Sequence, residues 1–211
     1  MIEMKHEYGT PSALNVLIQP VDEHDLSGME SEIAAICRMT DSPFRLIAVK
    51  VENWSHDLSP WDAPPVFGQA SFGDGAPSML EHILNLCDDT DKAYYLGGYS
   101  LAGLFSLWAA YQTDRFAGVA SASGSLWFPG FDAYMAANQI RSNSVYLSLG
   151  DREEKAKNPV VASVGERTRQ AYELLNSHGI NCALEWNAGN HFREPTLRTA
   201  KAFAWLLNHR I

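Results

Sequence analysis

At 211 residues, with 46% hydrophobic and 11% aromatic content, the chain is long and apolar enough to form one compact domain spanning 1–211. Lys and Arg total 16 against 25 Asp and Glu, a formal charge of -9 that argues against nucleic acid or an anionic membrane as partner and favours a neutral or cationic small molecule. The opening MIEMKHEYGT has no apolar core of signal-peptide length and no window approaches the roughly 18 apolar residues of a membrane span, so the expected location is cytoplasmic.

Taken in chain order, the first apolar, β-branched run covers 14–19, and the residues Gln19-Pro20-Val21-Asp22-Glu23-His24 read as the loop that follows it. A second run covers 46–51. The segment 52–75, rich in Pro, Gly, Asp and Trp, is the one long irregular stretch, and long loops of this kind are often functional. Helix signals start near Pro77, a strand follows at 93–97, a helix at 101–111, and further strands at 116–121 and 145–149. The best-defined helix covers 160–178, with Asn158 as cap, Pro159 in the first turn and Gly179 as the stop. A last strand at 183–186 precedes a closing helix from Pro195. Strands that alternate with helices along the whole chain imply parallel pairing through helical crossovers, hence a three-layer α/β fold with a mostly parallel sheet of about six strands. Functional side chains are then expected beyond the carboxyl ends of the strands.

At one such end stands Gly97-Gly98-Tyr99-Ser100-Leu101-Ala102-Gly103, between a predicted strand and a predicted helix. A tight strand-to-helix turn lifts a serine hydroxyl above the sheet, and the residues two before and two after must be small to let the backbones pass. Gly98 and Ala102 satisfy that, Ala102 standing where the G-x-S-x-G pattern has its last glycine. The helix that begins at Leu101 brings its first N–H groups to the place where an oxyanion would form beside Ser100.

A serine hydroxyl needs a base within hydrogen-bond reach, and imidazole serves near neutral pH. His191, in Asn187-Ala188-Gly189-Asn190-His191-Phe192, follows the last predicted strand, whereas His6, His82, His178 and His209 have no such placement. The strand at 145–149 ends in Gly150-Asp151-Arg152-Glu153-Glu154, which sets three carboxylates where an orienting acid would sit, and the order Ser, acid, His is that of α/β-hydrolases.

These motifs resemble those of the esterase family of α/β-hydrolases that includes enterochelin esterases, S-formylglutathione hydrolase and feruloyl-esterase-like proteins. GGYSLAGLFSLWA is similar to that family's elbow and following helix, FAGVASASGSLWFPGF to its next strand and Ser-Leu-Trp turn, and LGDREE and GNHF to its acid and histidine loops. Asp57-Leu58-Ser59-Pro60-Trp61 and Phe72-Gly73-Asp74-Gly75 resemble its loop ahead of the helix before the elbow. The likeness runs from about Leu14 onward and implies an α/β-hydrolase fold trimmed at the N-terminus, the first strands of the full fold having no counterpart. It also implies Ser100 as nucleophile, His191 as base, and an acid ranked Glu153, then Asp151, then Glu154, since such hydrolases often place it three residues after a strand-end glycine. The oxyanion donors implied are the Leu101 and Val21 amides, although Pro20 stands where the family has the glycine of a His-Gly pair.

Trp54, Trp61, Tyr99, Trp127, Phe128 and Phe192 are candidates to wall an acyl or aryl site, and His56 and Asp57 to position substrate. The implied chemistry is hydrolysis of a small carboxylic ester, aromatic esters included, through an acyl-enzyme, with no metal or organic cofactor. Thioester or siderophore-lactone hydrolysis, and ligand binding without catalysis, are the alternatives. Asp22, Glu23 and His24 are adjacent residues on a loop and poorly suited to converge on a metal. Cys37, Cys87 and Cys182 are odd in number and far apart, fit neither a disulfide framework nor a zinc pattern, and read as small buried hydrophobes. The expected partner is the small-molecule ester; association into a homo-oligomer is left open.

Overall fold

The computed structural model describes residues 5–66 and 68–209. The strands β1 (Lys5–Gly9), β2 (Asn15–Val21), β3 (Phe44–Lys50), β4 (Ala93–Tyr99), β5 (Phe116–Ala122), β6 (Ser144–Gly150) and β7 (Asn181–Asn187) form one sheet in the order β1-β3-β2-β4-β5-β6-β7. All neighbours are parallel except β1, which runs antiparallel to β3. The six predicted strands are the six parallel ones. The seventh, β1, adds a strand ahead of Leu14 where none was expected: KHEYG is short, charged and largely exposed, so it carries no hydrophobic alternation by which to find it.

The parallel strands read as continuous apolar runs because both faces are covered. Alternate residues serve opposite layers. Val16, Ile18, Leu96, Val145 and Leu147 face a core completed by α3 (Ala76–Leu84), α4 (Leu101–Gln112), α5 (Phe131–Ala137) and α7 (Val164–Ser177). Leu17, Tyr95, Ala120 and Tyr146 face a second core, closed by α1 (Glu23–Met39) and α8 (Pro195–Asn208). Helix α4 is buried on every side, as a helix that is apolar all round must be, and its buried Ser106 hydroxyl donates to Ala102 O at 2.7 Å.

Three sequence expectations need correction. The residues after β2 are not a loop: Asp22 caps α1 in a reciprocal box with Asp25, and Glu23 and His24 already belong to that helix. Helix 160–178 is broken at Ser163 into α6 (Pro159–Ala162) and α7; Asn158 caps it as expected, accepting from Val160 N–H at 2.9 Å, and Gly179 stops it at φ 74. Of the cysteines only Cys87 is buried; Cys182 is half-buried and Cys37 is exposed.

Between α1 and β2 lies a polar pair in an apolar layer. Gln19 Nε2 reaches Glu32 Oε2 at a long 3.5 Å, and the remaining oxygens, Gln19 Oε1 and Glu32 Oε1, have no partner. Burial, only partly offset by the Gln19 hydrogen bond, raises the Glu32 carboxyl to about 8. A protonated Glu32 donates to Gln19 and satisfies both orphan oxygens. Because the folded value is raised, this carboxyl favours folding fully below its ordinary value of 4.5, and that contribution is lost as pH climbs through the folded value. At about 1.4 kcal/mol per pH unit over that window, Glu32→Gln is expected to match the wild type in urea unfolding at acid pH and to exceed its stability by a few kcal/mol above pH 8. Parallel pH profiles of the two proteins would show instead that Glu32 is already ionised in the fold.

Candidate active site

Ser100 stands at the turn from β4 into α4 with φ 58 and ψ -121, a backbone conformation that a non-glycine residue holds only when its surroundings fix it. They do so through three backbone bonds: Ser100 N–H to Ala122 O (3.2 Å), and Leu104 and Ser125 N–H to Ser100 O (3.1 and 3.0 Å). The small-residue requirement of the elbow is visible at Gly98, where an added Cβ would come within 2.5 Å of the Ala102 methyl. Alanine at 102 is tolerated because glycine at 98 leaves room for it.

His191 follows β7, and its Nε2 lies 3.1 Å from Ser100 Oγ while its Nδ1 lies 2.7 Å from Glu153 Oε2. An ionised carboxylate only accepts, so Nδ1 carries the proton, which leaves Nε2 of the neutral ring free to accept from the serine hydroxyl. Of the three carboxylates after β6, Glu153 is the one brought to His191. Asp151 Oδ1 instead accepts from Gly189 N–H at 2.7 Å, tying the β6 loop to the histidine loop, and Glu154 Oε2 accepts from Arg169 at 2.8 Å.

Glu153 is buried, with 4% of its side chain exposed. Burial alone would raise its carboxyl, but the hydrogen bond and charge of His191, with Gly150 N–H (2.7 Å) and Ser123, hold it below the usual carboxylate value. Sequence reasoning missed the residue beside it. Arg198, on α8, is 2% exposed and donates to Glu153 Oε1 (2.9 Å), Ser123 Oγ (2.9 Å), Tyr99 Oη (3.2 Å), Ala188 O (3.2 Å) and Asn190 O (3.0 Å). The available signal was an arginine four residues before Ala202 and eight before Leu206, on the apolar stripe of the closing helix.

Tyr99 passes the restraint on: its hydroxyl donates to His191 O at 2.7 Å. The histidine is thus held through its ring by Glu153 and through its backbone by Tyr99, and both holders meet Arg198. Left-handed backbone at non-glycine residues occurs, among the described residues, at Ser100, Ser123 and Glu194, all on strand-end loops around this network.

Two cavities open beside Ser100. The larger, about 920 Å³, is lined by Ser100, Ser125, Trp127, Val161, His191 and Phe192, and by Arg152, Glu153 and the residues 155–158. The smaller, about 300 Å³, shares Ser100, His191 and Phe192 and adds Asp22, His24, Asp25, Trp54, Tyr99 and Pro195. Trp127 and Phe192 therefore wall the first and Trp54 the second, Phe192 being 86% exposed. Tyr99 borders the smaller cavity with its hydroxyl already engaged. Trp61 lines neither: it donates to Pro129 O at 3.0 Å and packs on Phe128, Phe131 and Tyr134, so it belongs to the aromatic core that pins segment 52–75 to the domain. Phe128 is buried in the same cluster. His56 and Asp57 bond each other at 2.9 Å in the short helix α2 (Trp54–Asp57) and line neither cavity.

The first N–H groups of α4, beginning at Leu101, have no acceptor within the helix and lie next to Ser100. Val21 does not supply a matching donor. It closes β2 fully buried, its carbonyl accepting from Val51 N–H at 2.9 Å, and its pairing with Lys50 in the parallel ladder turns its own N–H toward β3. The next amide, Asp22, borders the smaller cavity but meets Asp25 Oδ2 at 3.3 Å. Burial and the Asp22 charge raise the Asp25 carboxyl to about 6. Glu23 pairs with Lys50 at 2.5 Å, and no three His, Cys, Asp or Glu side chains converge as metal ligands among the described residues.

A mostly parallel sheet covered on both faces, with a strained serine elbow, an acid after the sixth strand and a histidine after the seventh, is the α/β-hydrolase fold. Comparison with solved structures agrees. The chain superposes on the siderophore hydrolase EstA of Aspergillus nidulans with a TM-score of 0.70 at 18% identity, covering 95% of this chain and 85% of that one. On the enterobactin esterase FES of Shigella flexneri the TM-score is 0.68 at 15% identity, covering 97% of this chain and 55% of that one, so the chain spans about half its length. In sequence it is 23% identical over 180 residues to the uncharacterized protein YbbA of Bacillus subtilis (strain 168), covering 76% of this chain and 72% of YbbA. No family model matches the chain. Among the described residues, no helix is long and apolar enough to cross a membrane.

Proposed function

We propose that the protein is a serine carboxylic-ester hydrolase that works through an acyl-enzyme on Ser100. The observation that carries this reading is the unbroken hydrogen-bonded chain from Ser100 Oγ through the His191 ring to the buried Glu153 carboxylate, set on a strained elbow and open to two cavities. Ser100 Oγ attacks the ester carbonyl carbon as its proton passes to His191 Nε2, and the oxyanion forms beside the first N–H groups of α4. Collapse expels the alkoxide, which takes the proton from His191. Water then attacks the acyl-enzyme, gives its proton to the same nitrogen, and the carboxylic acid leaves as Ser100 recovers its hydrogen. Glu153 stabilises the imidazolium in both halves without taking its proton. The names of EstA and FES, a siderophore hydrolase and an enterobactin esterase, support esters or lactones of that kind as a second substrate reading.

Fluorophosphonate probes react with activated serines. Exposure of the purified protein to one, followed by peptide mapping, is expected to place the adduct on Ser100 and to give none in Ser100→Ala. An unlabelled wild type that also leaves p-nitrophenyl acetate untouched would replace this reading with a ligand-binding protein on a hydrolase fold.

A further inference from the structure

The overall charge of -9 points to neutral or cationic ligands, but the charge at the site is not the overall charge. Arg152, Lys155 and Lys157 all line the larger cavity, all are exposed, and none of them has a carboxylate partner among the described residues. The carboxylate lining that cavity is Glu153, which is buried and bonded to Arg198 and His191 and so offers nothing to neutralise them. The same cavity has apolar lining from Trp127, Val161, Val164 and Phe192. The smaller cavity across Ser100 has the reverse character: Asp22 and Asp25 line it, with no Lys or Arg.

Both cavities border Ser100, so an ester with its carbonyl there has a cavity at hand for each of its halves. Unpaired cations beside an apolar wall attract an anion and cost nothing to desolvate from a prior partner, whereas carboxylates repel it. We infer that the substrate is an ester whose half in the larger cavity carries an anionic oxygen group, met by Arg152, Lys155 and Lys157, and whose other half is uncharged or cationic. This rests on the esterase reading above and assigns its substrate class.

Two isosteric pairs test it at low salt: the p-nitrophenyl monoester of glutaric acid against that of its monoamide, with the anion on the acyl half, and 4-acetoxybenzoate against 4-acetoxybenzamide, with the anion on the alcohol half. One pair is expected to favour its anionic member in kcat/KM by about tenfold, the scale of a few partly screened charges. That ratio should fall toward one in 0.5 M NaCl, on the order of a 4 Å Debye length, and invert in the triple variant Arg152→Glu, Lys155→Glu, Lys157→Glu. A single charge reversal away from both cavities, Arg38→Glu, exposed on α1, should keep the wild-type ratio, whereas Lys155→Glu alone should lower it. Turnover with no preference in either pair, or a preference that the triple variant keeps, would overturn this inference and leave the esterase reading standing. Failure to turn over all four esters, together with no labelling of Ser100, would remove both.

Discussion

Glu153→Gln is expected to lower kcat by about 10³–10⁴-fold on any ester the protein turns over, the scale seen when the acid of such an array is made an amide. The cause is tautomeric. A glutamine in the same rotamer sets either a carbonyl or an NH2 group 2.7 Å from His191 Nδ1. The other terminal atom must face the Gly150 N–H and the Arg198 guanidinium, which are both donors and demand an oxygen. The NH2 is therefore turned to His191, Nδ1 becomes the acceptor, and the proton moves to Nε2, where it blocks acceptance from Ser100. Most of the loss should fall in kcat and little in KM, and the half-time of fluorophosphonate labelling at Ser100 should lengthen in proportion. Retention of more than about a tenth of wild-type kcat would show that Glu153 only supports the loop, since a structural contact is not expected to exceed that. Equivalent changes at Asp151 and Glu154 should act far more weakly, because neither reaches the imidazole.

The second large effect falls on stability. Arg198→Met keeps the volume and apolar stem but leaves Glu153 as a buried anion without its cation, a loss of about 3–5 kcal/mol in comparable buried pairs. For a protein of this size each kcal/mol moves the midpoint by about 2–4 °C, so a fall of roughly 10 °C in Tm is expected in thermal melts. Arg198 contacts no position available to substrate and is a positioning residue: with it gone, Tyr99, Ser123 and the carbonyls of Ala188 and Asn190 lose their shared donor. Hence kcat should fall at temperatures where the variant is still folded. Arg198→Lys keeps the charge but not the planar fork, and should recover part of the stability and less of the rate. An unchanged Tm in Arg198→Met would mean that the pair's desolvation cancels its attraction.

What the sequence disclosed and what it withheld divide along the range of the interaction. The elbow was legible because strand, small residues, serine and helix are neighbours in the chain, and the six parallel strands because burial on both faces leaves continuous apolar runs. His191 was legible by its place after the last strand. Choosing among Asp151, Glu153 and Glu154 from residues alone was not possible: the choice depends on which carboxylate the β6 turn directs inward, onto Arg198, which is 45 residues away in sequence. The Val21 amide was misjudged because the strand runs two residues further than its apolar signal, through Pro20, and so consumes that N–H in the ladder. Trp61 was misjudged because a tryptophan on a long loop has the same local pattern whether it faces a cavity or, as here, an aromatic cluster. The charge of the site was hidden by the charge of the whole: three cations within six residues are lost in a sum over the full chain.

The polar character that concealed β1 in the sequence is also what suits it to its position. Strand β3, Phe44–Lys50, is an apolar ribbon whose outer row of amides and carbonyls would otherwise template the addition of strands from other molecules. β1 occupies that row along Lys5 to Gly9, and presents outward mostly polar, exposed side chains, Lys5 and Glu7 among them charged, to which a further strand has little reason to bind. The sheet is thereby covered on the side remote from the histidine loop by five residues that line neither cavity beside Ser100, with Tyr8 packing inward against the core.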